Sequence, residues 1–122
     1  MSQPKKFGVW MDTVHATVVG NNNGTNEMVV IAHVSAKKAM QNTSEKNLHE
    51  DEKGVINKYF KEIARHMQNA THLHATGTGQ IQEQFLNYLA DTPQFKNVKT
   101  EDSTANKMSD EKLLEFFADK IS

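Results

Sequence analysis

Two kinds of hydrophobic spacing divide the chain. Before residue 35 the apolar residues form short, β-branched runs, which are typical of strands. These runs predict strands at residues 7–12, 16–20 and 28–34. The connection at 13–15 has the length of a hairpin turn, and residues 21–26 are rich in Asn and Gly, which tolerate the positive φ of tight turns. The chain is therefore predicted to open with an antiparallel meander.

Helical spacing begins after residue 50. Apolar residues then recur three and four positions apart, as one face of a helix requires, at Val55, Ile56, Tyr59, Phe60, Ile63 and Met67. A short strand is predicted at residues 71–76, and a second helix follows the turn Gly77-Thr78-Gly79. A fifth strand at 98–100, a loop at 102–108 and a final helix capped by Ser109 complete the pattern.

The predicted order of elements is β-β-β-α-β-α-β-α. Hairpin strands followed by alternating helices and strands indicate an α/β fold of the α+β-like kind, with a mixed five-stranded sheet and helices packed on it. This is the element order of a ribonuclease H-like fold. With 122 residues, the chain has the length of a single domain, residues 1–122. Residues 35–46 are polar and basic without periodicity, and are predicted to be a mobile connection.

Composition excludes several classes of protein. The chain has no cysteine, which rules out disulfides, thiolate metal sites and a cysteine nucleophile. No apolar run approaches the roughly 18 residues of a membrane span. No apolar signal core follows the basic start, so we expect a cytoplasmic protein without membrane contact. The formal net charge of −1 argues against a dedicated nucleic-acid binder, which usually carries a basic surplus.

One region carries a family resemblance. The segment from Val55 to Leu89 runs from a helix through a short strand and Gly77-Thr78-Gly79 into the helix sequence Gln-Glu-Gln-Phe-Leu-Asn-Tyr-Leu. It resembles the middle domain of Pelota and of the eukaryotic-type peptide release factors. The chain is also similar to small stand-alone bacterial proteins described as translational machinery components, which open with a strand like Val9-Trp10-Met11-Asp12.

The resemblance implies a non-catalytic binding module associated with translation, with the ribosome, RNA or a translation factor as its partner. It implies no cofactor. Gly77-Thr78-Gly79-Gln80 contains Gly-x-Gly-Gln, but the release factors place their catalytic Gly-Gly-Gln tip in the connection before the first long helix, here residues 35–50. No Gly-Gly-Gln occurs in that connection, so peptidyl-tRNA hydrolysis is not expected.

Two sets of residues are candidates for binding. Gly77, Thr78 and Gly79 precede a helix, whose N-terminal N–H groups can hold an anion. The alternative is a plain strand–helix turn that needs glycine for its backbone angles. The second set flanks the meander and offers candidate contacts for phosphate groups: Lys5, Lys6, Lys37 and Lys38. Ordinary solvated charge is the alternative for these lysines.

A metal-dependent nuclease is the second functional interpretation. Asp12 ends the first strand, where ribonuclease H-like nucleases hold a catalytic metal, and residues 50–52 could supply a helix acid. The carboxylate set is incomplete, since residues 76 and 77, after the fourth strand, are Thr and Gly. A separate metal site could form from His72 and His74, which share one face of the fourth strand, with His33 or His49 nearby. The alternatives are a turn aspartate that accepts backbone hydrogen bonds and two polar histidines on the sheet.

A protein–protein adaptor is the third interpretation. An exposed sheet edge is a ready template for pairing with another chain, and a homo-oligomer could form in this way. Three aromatic residues, Trp10, Phe7 and Tyr59, could instead stack on RNA bases. Core packing is the expected role of all three, because Trp10 alternates with Val9 and Met11 and one of those two faces must be core.

Overall fold

The computed structural model describes residues 5–21, 27–36 and 52–121. Its strands are β1 (Lys6–Met11), β2 (His15–Asn21), β3 (Met28–Ser35), β4 (His72–Gly77) and β5 (Lys99–Thr104). Its helices are α1 (Glu52–Arg65), α2 (Ile81–Ala90) and α3 (Asp110–Ile121), and a 3₁₀ turn lies at Pro93–Phe95. The predicted order of strands and helices is confirmed.

All five strands belong to one mixed sheet, in the order β3-β2-β1-β4-β5. The hairpin strands β1, β2 and β3 pair antiparallel, whereas β4 pairs parallel with both β1 and β5. Connections of a few residues separate the antiparallel neighbours, whereas longer connections that include a helix precede the parallel strands β4 and β5. The mixed five-stranded sheet expected from the sequence is therefore confirmed.

One face of the sheet packs against α1 and α2. Alternate residues of β1, including Val9 and Met11, point to this face, as the two-residue period of a strand requires. They meet the apolar stripe predicted for α1 and the apolar face of α2, with Tyr59, Ile63 and Phe85 almost fully buried. This is the larger of the two cores.

The opposite face packs against α3. Its core consists of Trp10, Val19, Met28, Leu113 and Phe117. Gly8 makes this packing possible, because a Cβ at that position would lie 2.5 Å from the Phe117 ring. The indole of Trp10 also donates a hydrogen bond to the carbonyl of Ala105, 3.1 Å away, which ties the segment before α3 to the sheet.

Most strand boundaries differ from the sequence prediction by a single residue, and two differences change the predicted connections. β5 continues to Thr104, so the first residues of the predicted 102–108 loop are strand. This strand is polar and mostly exposed, and it lies at an edge of the sheet, where charged residues discourage pairing with other chains. β3 extends to Ser35 and the Ala36 amide donates to the Val14 carbonyl, so the connection predicted at 35–46 begins later. The remainder of that connection lies outside the described residues.

Candidate functional site

Asp12 closes the turn between β1 and β2. Its Oδ1 accepts hydrogen bonds from the backbone N–H groups of Val14 (2.8 Å) and His15 (2.6 Å). The hydroxyl of Tyr59 donates to the Asp12 carbonyl, 2.9 Å away. Burial, and secondarily the nearby Asp12 carboxylate, raise the pKa of Tyr59 well above its ordinary range. The arrangement is that of a turn aspartate with satisfied hydrogen bonds.

The Gly77-Thr78-Gly79 turn joins β4 to α2, as predicted. The need for glycine at Gly77 has a different cause from the one expected. Its φ does not lie in the left-handed region; instead, a Cβ would collide with the Met11 carbonyl and approach Gln82 Oε1 to 2.9 Å. Gly79 has open space around it, and the α2 N-cap, Gln80, makes no side-chain capping bond. The turn thus contains one glycine required by packing and one that is not.

His72 and His74 lie on the face of β4 that α3 covers. His74 is 6% exposed and its ring contacts Phe116 and Phe117 edge-on. His74 Nε2 lies 2.8 Å from Ser103 Oγ on β5, and that hydroxyl donates to Thr76 Oγ1 at 2.9 Å. His74 Nδ1 lies 3.5 Å from Glu101 Oε2 and has no hydrogen-bond partner among the described residues.

The structure separates Asp12 from the two histidines that were also candidate metal ligands. Asp12 follows Met11, which pairs with Gly77 at the carboxyl end of β4, whereas His72 begins that strand and pairs with Lys6. Asp12 and the histidines are therefore at opposite ends of the parallel strands. Within residues 5–21, 27–36 and 52–121, no group of three His, Asp or Glu side chains is arranged to hold a metal ion.

A cavity of about 420 Å³ lies at the amino ends of β4 and β5, beside the end of α3. The described residues that line it are His72, Leu73, His74, Lys99, Thr100, Glu101 and Lys120. Sequence reasoning found the two histidines but missed Lys99, Glu101 and Lys120. The parallel pairing of β4 with β5 sets His72 opposite Lys99 and His74 opposite Glu101, and the packing of α3 on the sheet brings Lys120 to them.

The predicted basic set is only partly described. Lys5 is exposed at the start of β1, and its carbonyl accepts hydrogen bonds from the Thr71 and His72 amides. Lys6 begins β1, and its amide donates to Asn21 Oδ1 at 3.0 Å. Lys37 and Lys38 lie outside the described residues. The aromatic candidates Trp10, Phe7 and Tyr59 are all buried, as expected of core residues.

A second cavity, of about 350 Å³, lies on the same face of the sheet beside the start of α3. Its most notable contact is between His33 Nε2 and Asp110 Oδ2, which are 2.8 Å apart and both exposed. This pair ties the edge strand β3 to the first turn of α3. His33 Nε2 thus has a partner at this cavity, whereas His74 Nδ1 at the first cavity has no hydrogen bond among the described residues.

Comparison with solved structures identifies the fold. The Pelota protein of Thermoplasma acidophilum matches 95% of this chain with a TM-score of 0.59 and 18% identity. Pelota of Archaeoglobus fulgidus matches 98% with a TM-score of 0.58 and 17% identity. The archaeal translation termination factor aRF1 matches 96% with a TM-score of 0.50 and 14% identity. The chain shares its fold with part of Pelota and of aRF1.

The match covers only part of each neighbour. This chain spans 32% and 33% of the two Pelota chains and 35% of aRF1. No protein-family model matches the sequence, and no match is found among curated proteins either. The resemblance predicted from the sequence is thus confirmed for the fold. In addition, none of the helices in the described residues is long and apolar enough to cross a membrane.

Proposed function

We propose that this protein is a non-catalytic binding module of the translation apparatus, which contacts the ribosome, RNA or a translation factor through its surface. The observation that carries the proposal is the shared fold, which extends over nearly the whole of this chain in both Pelota proteins. Because those proteins are about three times longer, their other parts and their complete activities are not transferred to this one. A cytoplasmic location fits the same role.

The residues considered for a catalytic metal site support binding more than catalysis. The Asp12 carboxylate already accepts two backbone hydrogen bonds from its own turn. The positions that would supply a second carboxylate at the end of β4 are Thr76 and Gly77. The described residues therefore give the alternative of a metal-dependent, ribonuclease H-like nuclease no support. Binding through the protein surface does not require a set of metal-binding carboxylates.

Sedimentation of the tagged protein in a cell lysate tests the proposal. On sucrose gradients at low salt we expect it to migrate with ribosomal particles, and at high salt we expect an RNA contact to weaken, because phosphate contacts release counterions. A tagged protein of similar size and charge without this fold is the control. If the protein stays at the top of the gradient at both salt concentrations, the translation role is contradicted.

A protein–protein adaptor is the second candidate, and the β3 edge favours it. β3 is an outer strand of the sheet, and within the described residues the exposed large hydrophobic residues are Ile31 on β3 and Val14 on the neighbouring turn, 41% and 51% exposed. An apolar edge strand can pair with another chain, including a second copy. Sedimentation equilibrium tests this: a dimer that Ile31→Lys dissociates would support it, and a monomer at all concentrations would exclude self-association.

A further inference from the structure

We propose that the cavity at the amino ends of β4 and β5 binds a ribonucleotide unit of RNA, with Lys99 and Lys120 on the phosphate and Glu101 and His74 on the ribose hydroxyls. The proposal deepens the translation role and rests on it for the choice of polymeric RNA over a free nucleotide. It places the contact away from the glycine turn. Lys5 and Lys6, predicted from the sequence, lie beside His72 at the same end of the sheet but are not among the described residues that line the cavity.

The first argument is the form of the cavity. Its volume of about 420 Å³ falls in the range of pockets that hold small ligands, roughly 300–1,000 Å³. β4 and β5 supply its floor, and Lys120 reaches it from the last turn of α3. Elements from distant parts of the chain thus frame a concave site, one large enough for a sugar and its phosphate.

The second argument is a buried polar atom without a partner. His74 is more than nine-tenths buried, and its Nδ1 has no hydrogen bond within the described part of the chain. The carboxylate oxygen Glu101 Oε2 lies 3.5 Å away, too far for a good hydrogen bond. Both side chains line the cavity. Because buried polar groups normally have partners, this atom and the adjacent carboxylate indicate a ligand that completes them.

The third argument is the charge pattern of the lining. Lys99 and Lys120 suit a phosphate group, which lysine binds as a point charge. Glu101 would repel a simple anion, but an ionised carboxylate accepts hydrogen bonds and so favours a neighbouring hydroxyl donor. A ribonucleotide carries the two features side by side. The 2′-hydroxyl beside the carboxylate is also the group that distinguishes RNA from DNA.

The fourth argument concerns base recognition. The described residues that line the cavity include two histidines but no Phe, Tyr or Trp on which a base could stack. Contacts to phosphate and sugar fix a nucleic acid in place without reading its sequence. The site is therefore expected to prefer RNA over DNA while discriminating little among the four bases.

A catalytic use of the same residues is less well supported. Glu101, His74 and Ser103 follow one another in the order of an acid–histidine–serine triad. However, the Ser103 hydroxyl donates a hydrogen bond to Thr76 Oγ1, and Ser103 is not among the described residues that line the cavity. The Ser103–Thr76 pair instead holds the Nε2 side of the ring, so that Nδ1 faces Glu101.

The test is binding of fluorescently labelled oligo(A) and oligo(dA) of equal length, with adenosine 5′-monophosphate as competitor. We expect RNA to bind roughly two- to tenfold more tightly than DNA, the range that one net hydrogen bond supplies. Lys99→Gln and Lys120→Gln should each weaken both oligonucleotides by a similar factor, roughly two- to fivefold for an exposed charge pair. Glu101→Gln should reduce the preference for RNA without weakening DNA binding.

The matched control is Lys112→Gln, which removes the same charge from α3 outside the cavity lining. Thermal unfolding verifies that every variant is folded. The proposal is overturned if Lys112→Gln weakens binding as much as Lys99→Gln, or if Glu101→Gln leaves the RNA preference intact. It is also overturned if the mononucleotide competes as tightly as the oligonucleotide, because a free nucleotide would then be the ligand.

The same variants separate this inference from the proposed function. Ribosome co-sedimentation that persists in Lys99→Gln and Lys120→Gln, together with no binding of oligo(A), would refute the cavity as an RNA site and leave the translation role standing. Selective binding of oligo(A) without any co-sedimentation would support RNA recognition by the cavity and contradict the translation role.

Discussion

The two ends of the parallel strands β1 and β4 carry polar residues whose bonding differs. At the carboxyl ends, the Asp12 carboxylate accepts two backbone hydrogen bonds and Gly77 is packed against the Met11 carbonyl. At the amino ends, His74 Nδ1 lacks a hydrogen bond among the described residues, and Glu101 is 75% exposed beside it. The first end is occupied by internal contacts, whereas the second has polar groups available to a ligand.

The difference shows how a residue type can mislead. An aspartate after a strand and a glycine turn before a helix are both found at functional sites, and here the local backbone accounts for Asp12 and Gly77. At the amino ends the sequence pointed to His72 and His74 but not to Lys99, Glu101 and Lys120. The evidence for a binding site there is the cavity and the buried His74 Nδ1 without a hydrogen bond among the described residues, and both depend on tertiary structure. Four predictions probe this contrast, in descending order of expected effect.

The largest effect is expected from Gly77→Ala at the carboxyl end. The added Cβ would collide with the backbone carbonyl of Met11, which cannot rotate away, so β1 and β4 must shift. We expect the free energy of unfolding in urea to fall by about 3 kcal/mol, the upper range for overpacking. Gly79→Ala is the control: its Cβ would meet nothing within 4 Å, so its effect should be smaller than about 1 kcal/mol. Equal losses in the two variants would show that the clash is not the cause.

Asp12→Ala should have the next largest effect. It removes the acceptor of the Val14 and His15 amides, as the loss of a helix cap does, and should lower the free energy of unfolding by about 1–2 kcal/mol. Asp12→Asn keeps an oxygen acceptor at this position and should lose less. A stability unchanged in Asp12→Ala would contradict the structural role assigned to this carboxylate.

Alkaline pH should expose the environment of Tyr59. Burial first, and the Asp12 charge second, raise the pKa of its hydroxyl in the folded protein. Above about pH 10 the unfolded chain therefore loses this proton while the folded chain keeps it, and stability falls by up to about 1.4 kcal/mol per pH unit. Unfolding measured between pH 9 and 11 should show a shallower decline in Tyr59→Phe. Parallel declines in the two proteins would mean that Tyr59 ionises normally.

The smallest effect on stability is expected at the amino ends. Lys99→Gln removes an exposed charge from β5, and its free energy of unfolding should stay within about 0.5 kcal/mol of the parent protein. Chemical denaturation of the two proteins under identical conditions provides the measurement. A loss above about 1 kcal/mol would mean that Lys99 stabilises the fold. That result would contradict the assignment of the carboxyl ends of the strands to structure and of the amino ends to binding.

Local periodicity was sufficient to predict most of the fold. The β-branched runs marked β1, β2 and β3, and the stripe containing Tyr59, Phe60 and Ile63 marked α1, because β1 and β2 are buried along nearly their whole length and one face of α1 is buried. β5 was predicted only at 98–100, since its sequence Lys-Thr-Glu-Asp-Ser-Thr lacks apolar alternation. Its residue-by-residue pairing with β4 makes it a strand, and no local pattern encodes that pairing.

The candidate site was harder to predict than the fold. The two-residue spacing of His72 and His74 correctly placed them on one face of β4. Glu101 and Ser103, the partners of His74, lie more than 25 residues further along the chain. Only the register of β4 against β5 sets Glu101 opposite His74 and Ser103 opposite Thr76. The reach of Lys120 from α3 depends on how that helix packs on the sheet. Such long-range juxtapositions have no signature in a single sequence.

Mapping the contact by NMR is the most direct test of the contrast between the two ends. In the ¹⁵N-labelled protein, oligo(A) should shift the amide signals of His72–His74 and Lys99–Glu101 saturably, and leave those of Thr78–Gln80 in place. Shifts concentrated at the glycine turn would assign the nucleic-acid contact to the start of α2. That result would contradict the account given for the amino ends of the strands.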